Sequence, residues 1–260
     1  IGGVLLASAR LLGSAGPFGI AAVAASGAGL NGVGCLIGAA IGYIISSGLA
    51  GSIRYLAAIV LVYTISFAFQ DTKLAKKSIF APCVAAIAAL STGILSSFTS
   101  VFTQAPAAAV VLVETVFSFG GCWFFREALS DAERTTEAEE LRYTGSVLIT
   151  AAVLLMAVSQ IEIFGAISLG RLLALLIVMT CTLRCGIMTG CTIGTAFGIA
   201  MDLTAGGMPF YTMAYAFAGL LSGMFNRHGR LLFLLAFIAA DAAAVACAWS
   251  FQTEINSLFE

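Results

Sequence analysis

Five ionisable side chains lie within or at the ends of long apolar stretches, where a charged group is costly and usually functional. They are Arg54, Glu114, Arg171, Asp202 and Asp241. In a transporter, the three carboxylates would hold a cation or a proton. The structural alternative is a carboxylate that burial keeps neutral or that pairs with an arginine. The structural interpretation is favoured, because a transport site also needs broken helices in matching halves, and no inverted repeat is seen.

The sequence offers no other set of residues for catalysis. The HExxH, Walker and GxSxG motifs are absent, and the single histidine, His228, lies in a basic loop. The spacing of Cys181, Cys185 and Cys191 does not match the CxxC pairs of zinc sites, so the cysteines are interpreted as small apolar residues. The sequence therefore predicts no catalytic, cofactor-binding or metal-binding residue in this chain.

Small residues recur at every fourth position in two places, which we call the first and second glycine series. The first contains Gly34, Gly38 and Gly42 and continues to Ser46, and the second contains Gly186, Gly190, Gly194 and Gly198 and ends on Asp202. Residues four apart share one helix face. Small side chains there let two helices approach closely, which drives association in lipid. Both series are predicted to be helix-packing faces, with the lining of a narrow pathway as the alternative.

The composition indicates a membrane protein. Hydrophobic residues make up 60% of the 260 residues, charged residues make up 10%, and the mean hydropathy is +1.05. Soluble domains are about 25% charged. The net charge of −1 gives no basic footprint for nucleic acid. Because the apolar runs are continuous, the predicted fold is all-α, a polytopic helical transmembrane bundle in which residues 1–260 form one multi-span membrane domain whose main partner is the lipid bilayer.

Hydropathy predicts about ten spans, since each needs roughly 20 apolar residues. The first is expected to break at Gly13–Pro17, because proline removes a hydrogen-bond donor. The predicted spans are Ile1–Gly27, Leu30–Leu49, Ser52–Phe69, Ile79–Phe98, Ala105–Phe125, Tyr143–Gln160, Gly165–Leu183, Cys185–Met201, Gly207–Phe225 and Leu231–Phe251.

Basic residues are concentrated in alternate loops, which predicts the orientation of the chain. Nine of the 12 lie on one face, namely Lys73, Lys76, Lys77, Arg126, Arg134, Arg142, Arg184, Arg227 and Arg230. The positive-inside rule places that face in the cytoplasm. Only Arg10, Arg54 and Arg171 lie elsewhere.

Several short sequence segments, in order along nearly the whole chain, resemble segments of the membrane region of stage II sporulation protein E, a sporulation serine phosphatase. They are Leu11–Gly13 with Pro17–Gly19, Ile53–Ala58, Glu114 with Gly120–Leu129, Ile167–Arg171, Gly198–Leu203 and Tyr215–Gly223. The resemblance implies an N-terminal membrane region of ten spans, a central regulatory segment and a C-terminal manganese-dependent phosphatase domain.

The same resemblance implies a function and partners. The family phosphatase dephosphorylates an anti-sigma factor antagonist and so activates the forespore sigma factor. It concentrates at the polar division septum, and the membrane region would anchor it, aid self-association and bring it to the cell-division protein FtsZ. This chain has no Asp-Gly pair of the kind the phosphatase uses at its metal centre, so no catalytic residue is carried over and manganese is expected only in the missing domain. The chain is expected to stop within the membrane region.

The predicted orientation can be tested by thiol labelling. Single cysteines at Lys76 and Arg134, in a background without the native cysteines, should resist an impermeant thiol reagent added to intact cells, because both loops are predicted to be cytoplasmic. Labelling from outside the cell would contradict the orientation.

Overall fold

The computed structural model describes residues 2–11, 15–75, 77–98, 108–130, 136–163, 167–205, 209–226 and 229–259. Over these residues the chain forms ten helices and one pair of two-residue strands. The loop residues Gly13, Lys76, Arg134, Arg227 and His228 lie outside this description. The chain divides into two compact units, Ile1–Val158 and Ser159–Glu260, within the stretch that the sequence predicts as one membrane domain.

The first unit contains six helices over its described residues. They are α1 (Gly2–Ser8), α2 (Pro17–Ser26), α3 (Leu30–Phe69), α4 (Phe80–Phe98), α5 (Ala108–Ala128) and α6 (Glu137–Val158). The short helix α2 contacts α1, α3, α4 and α5, and its residues Pro17–Ala24 are all buried. This apolar helix therefore forms the core of the unit.

The second unit begins with an antiparallel strand pair and continues with four helices. They are β1 (Glu162–Ile163), β2 (Ile167–Ser168), α7 (Leu169–Cys185), α8 (Ile187–Ala205), α9 (Phe210–Met224) and α10 (Arg230–Phe259). Helix α9 contacts α7, α8 and α10, so it is the central helix of this unit.

Five helices are long and apolar enough to cross a membrane, and they are α3, α5, α6, α8 and α10. The predicted helical membrane architecture is confirmed at this level, whereas a total of ten spans is not. Helices α7 and α9 have 17 and 15 residues. At 1.5 Å per residue they are shorter than a hydrocarbon core of about 30 Å.

The first predicted span is replaced by two short helices. Helix α1 ends at Ser8, and α2 begins with Pro17 as its first residue, a position where the missing N–H costs nothing. Between them Leu11 and Ala15 exchange two backbone hydrogen bonds of 2.8 and 2.9 Å, so the chain turns tightly. The break lies where the sequence predicts it.

Helix α3 is folded back on itself at Gly48. This residue has φ 67° and ψ 173°, a conformation that favours glycine. The rings of Tyr43 and Tyr55 are stacked with centroids 4.7 Å apart, although twelve residues of straight helix would separate them by about 18 Å. The Tyr63 hydroxyl likewise reaches the carbonyl of Ala28 at 3.3 Å. The predicted spans on either side of residues 50–51 are therefore the two arms of α3.

The first glycine series packs on α1 at two of its three glycines. A β-carbon on Gly42 would lie 2.5 Å from the carbonyl oxygen of Val4 and 2.9 Å from Cβ of Ala7, and one on Gly38 would lie 3.3 Å from the Val4 nitrogen. Gly34 differs from the prediction, because it is exposed and meets no described atom within 4 Å.

The second glycine series lies against α9 at Gly194 and Gly198, where added β-carbons would meet the carbonyls of Tyr215 and Tyr211 at 2.5 and 2.6 Å. At Gly190 an added β-carbon would instead meet the Thr182 side chain of α7, while one on Gly219 of α9 would lie 2.7 Å from the Gly190 carbonyl oxygen. Gly186 differs from the prediction. It has φ 87°, ends α7 and meets no described atom, so its role is to let the chain turn between helices.

Gly42 and Gly34 of the first series provide a matched test of packing, because only Gly42 packs on α1. Gly42→Leu should lower the unfolding temperature of the purified chain in detergent, with a cost of about 1–3 kcal/mol for overpacking. Gly34→Leu is the control, because it gains the same helix propensity but enters open space. Equal unfolding temperatures for the two variants would contradict close packing of α3 on α1.

Candidate functional site

Two tyrosines satisfy the backbone groups that the α1–α2 break exposes. The Tyr43 hydroxyl donates to the Gly16 carbonyl at 2.5 Å and accepts from the Ile20 amide at 3.1 Å. The Tyr55 hydroxyl accepts from the Gly16 amide at 3.1 Å. A helix start buried in apolar surroundings needs such partners, because unsatisfied backbone groups are costly there. The stacked rings thus support the interrupted helix.

Glu114 is the acceptor that holds this tyrosine pair in place. Its Oε1 accepts hydrogen bonds from Nη2 of Arg54 and from the Tyr55 hydroxyl, both at 2.6 Å. Nη2 of Arg54 also donates to the Tyr55 hydroxyl at 2.6 Å, and the guanidinium lies 4.5 Å from the centre of that ring. We call these three residues the Arg54–Tyr55–Glu114 cluster.

The cluster is sealed from its surroundings. Glu114 is 2% exposed, and the Arg54 side chain is 12% exposed. On the same side of α5, Ser118 donates to the Pro17 carbonyl at 3.3 Å, and Phe18 packs edge-on against Phe117 with centroids 6.1 Å apart. Charge compensation and packing together suit a structural ion pair, since a conducting site needs water or an open route to the carboxylate.

Asp202 is used as a cap for α9. Its two carboxylate oxygens accept from the backbone amides of Tyr211 and Thr212, each at 2.8 Å, and Oδ2 also accepts from the Thr212 hydroxyl at 2.5 Å. A carboxylate at a helix N-terminus satisfies free amides and complements the helix dipole. Asp202 follows Gly198 by four residues, so the close approach of α8 to α9 is what brings the carboxylate into reach.

Arg171 and Asp241 line a cavity of about 250 Å³ in the second unit, which we call the α7–α9–α10 cavity. Its wall also includes Ser168, Tyr211 and Tyr215. The Arg171 guanidinium lies 4.8 Å from the centre of the Tyr211 ring, and its Nε is buried without a hydrogen-bond partner among the described residues. The cavity therefore combines two opposite charges with aromatic and aliphatic side chains.

The structure brings together residues that the sequence could not pair. It joins Arg54 to Glu114 and places Arg171 and Asp241 in the lining of one cavity, but it assigns Asp202 to a helix end. The sequence did not indicate the hydrogen-bonding roles of Tyr43 and Tyr55, because an aromatic residue in an apolar run is usually interpreted as core. Within the described part of the chain, no group of three or more His, Cys, Asp or Glu side chains could hold a metal ion.

Comparison with protein-family models, with curated proteins and with solved structures found no match.

The unfolding temperature of the purified chain can show how much the buried Arg54–Glu114 pair stabilises the first unit, with the exposed Arg142–Glu127 pair as a comparison. Glu114→Gln keeps an acceptor but leaves Arg54 as an uncompensated buried charge, a change that costs about 3–5 kcal/mol in buried pairs. Glu114→Leu also removes the acceptor and should destabilise more. Glu127→Gln is the control, because Glu127 pairs with Arg142 at the surface, where a pair contributes about 0–1 kcal/mol.

A double variant shows whether the ion pair itself is responsible. Arg54→Gln with Glu114→Gln removes both charges, so its unfolding temperature should lie above that of either single variant. Additive losses in this comparison would contradict a direct charge interaction.

Proposed function

We propose that this chain is a membrane region that anchors and positions a protein serine phosphatase of the stage II sporulation protein E type. The observation that carries the proposal is the sealed Arg54–Tyr55–Glu114 cluster. Its carboxylate has two donors at 2.6 Å and is 2% exposed, so its bonding supports a static helix contact more than a route for ions.

The ten spans that the resemblance implies would be the interrupted α1–α2 segment, the two arms of α3 and the helices α4–α10. Among these helices, α3, α5, α6, α8 and α10 are long and apolar enough to cross a membrane, and the proposal requires the shorter ones to cross as well. In this proposal the phosphatase domain and its manganese belong to a longer protein, and the membrane region serves its targeting to the septum and its self-association.

The proposed partners follow from the resemblance. They are the lipid bilayer, a second copy of the membrane region, the cell-division protein FtsZ and, for the phosphatase, an anti-sigma factor antagonist. The exposed apolar side chains of the long helices support the first of these. Leu49 and Ile45 of α3 and Leu235 and Ile238 of α10 are each more than half exposed, which suits contact with lipid.

A second candidate is a small-solute or ion transporter. Two observations favour it, namely the interrupted α1–α2 helix and the polar α7–α9–α10 cavity, since transporters bind substrate at discontinuous helices. Glu114 and Asp202 are occupied by hydrogen bonds from their own units, which leaves Asp241 as the carboxylate on a possible pathway. The two candidates differ in whether the reconstituted chain carries a flux.

The anchoring proposal predicts the cellular localisation of the chain and predicts that the chain alone has no phosphatase activity. A fluorescent fusion of this chain should concentrate at the polar septum of sporulating cells, while the purified chain should release no phosphate from a phosphoserine substrate with manganese present. A fusion distributed evenly around the membrane would contradict the targeting. Phosphoserine hydrolysis by the pure chain would contradict the assignment of catalysis to another domain.

A further inference from the structure

Opposite charges face the α7–α9–α10 cavity without neutralising each other. Arg171 has a buried Nε without a partner, and no ion pair joins it to Asp241. Among the residues that the structure describes, Asp241 accepts no hydrogen bond. Charges buried in apolar surroundings are normally paired, because desolvation without a partner is costly. A ligand that carries both a negative and a positive group would satisfy both side chains.

The end of the cavity at Arg171 is suited to an anion. Arg171 is the third residue of α7, and Phe210 and Tyr211 are the first two residues of α9, so two helix N-termini lie at this end. Helix N-termini favour negative groups, and a guanidinium binds phosphate through several N–H donors. Asp202 already accepts the α9 amides. Arg171 is therefore the donor that a bound phosphate would use.

Asp241 and the Tyr215 ring suit a primary ammonium. The carboxylate would accept its N–H groups, and Tyr215 supplies a ring face that attracts cations, whereas the Tyr211 ring already lies against the Arg171 guanidinium. The Tyr215 hydroxyl is already used, since it donates to the Arg171 carbonyl at 3.2 Å. It is the ring of Tyr215, with the carboxylate, that remains for a ligand.

The rim of the cavity indicates a lipid as the source of this zwitterion. Leu172 and Val245 line the cavity and are 43% and 53% exposed. In a chain that lies in a bilayer, exposed apolar side chains contact acyl chains. A head group could therefore occupy the cavity while its acyl chains lie along α7 and α10.

We propose that the α7–α9–α10 cavity binds the head group of an aminophospholipid, with the phosphate at Arg171 and the primary ammonium at Asp241. The site requires that the chain lies in a membrane, but it does not depend on the phosphatase assignment, so failure of either proposal leaves the other standing.

Native mass spectrometry of the delipidated full chain in detergent tests the site. The probes are phosphatidylethanolamine, phosphatidylcholine, phosphatidylglycerol and phosphatidic acid with identical acyl chains at equal concentrations. Phosphatidylethanolamine should bind about tenfold more tightly than phosphatidylglycerol or phosphatidic acid, which lack the amine, since a hydrogen bond to a charged group contributes about that factor. It should also exceed phosphatidylcholine, whose ammonium has no N–H to donate. Equal binding of the four lipids would overturn the proposal.

Variants assign the two ends of the ligand. Arg171→Gln should weaken phosphatidylethanolamine binding about tenfold, and Asp241→Asn should remove the preference over phosphatidylglycerol. Arg184→Gln is the matched control, because Arg184 lies exposed in the last turn of the same helix, away from the cavity, and should bind like the native chain. If both cavity variants bind like this control, the site is wrong.

A conservative variant separates loss of the site from loss of folding. Arg171→Lys keeps the cation and should retain more binding than Arg171→Gln; if Arg171→Gln does not fold, retained preference in Arg171→Lys and lost preference in Asp241→Asn support the site. Loss of the lipid preference in Arg171→Lys and its retention in Asp241→Asn would reject the site.

Glycerophosphoethanolamine has the same head group without acyl chains and should not displace the lipid at equal concentration. Displacement would identify a soluble zwitterion and overturn the lipid assignment.

Discussion

A buried break in a helix must find partners for its free backbone groups, and the first unit is built around this constraint. The chain stops being helical after Ser8 and resumes at Pro17, inside the apolar core. Hydrocarbon offers no hydrogen bonds, so the amide and carbonyl of Gly16 are satisfied by Tyr55 and Tyr43. These hydroxyls are in turn fixed by stacking and by the ion pair beyond them. The Arg54–Glu114 pair is therefore a support for the α1–α2 break.

The same constraint explains the second unit. The first amides of helix α9 are satisfied by a carboxylate from α8. That carboxylate reaches them because Gly194 and Gly198 allow the two backbones to come together. The close packing of α8 on α9 at the glycines and the capping of α9 by Asp202 therefore depend on each other. Arg171 and Asp241 differ from these residues, because no ion pair joins them although both line the α7–α9–α10 cavity.

Sequence alone predicts the helical class, the break before Pro17 and the division of α3 near Gly48, because hydropathy and helix-breaking residues are local signals. It also places glycines on one helix face. It does not show which of these glycines meet a neighbouring helix, and Gly34 is exposed although Gly38 and Gly42 pack on α1. Four-residue spacing likewise did not distinguish Gly186, which ends a helix, from the glycines that pack. The partner of Glu114 is sixty residues away, and nothing local identifies it.

Glu114 and Asp202 hold helices together, and neither they nor Asp241 carry ions in this interpretation. The most direct measurement is proton and cation flux into liposomes that contain the purified full chain, compared with protein-free liposomes under an imposed gradient. The account predicts the same leak rate with and without the chain, for the native sequence and for Glu114→Gln and Asp241→Asn. A flux that requires the chain and that either substitution abolishes would contradict it and would favour the transporter.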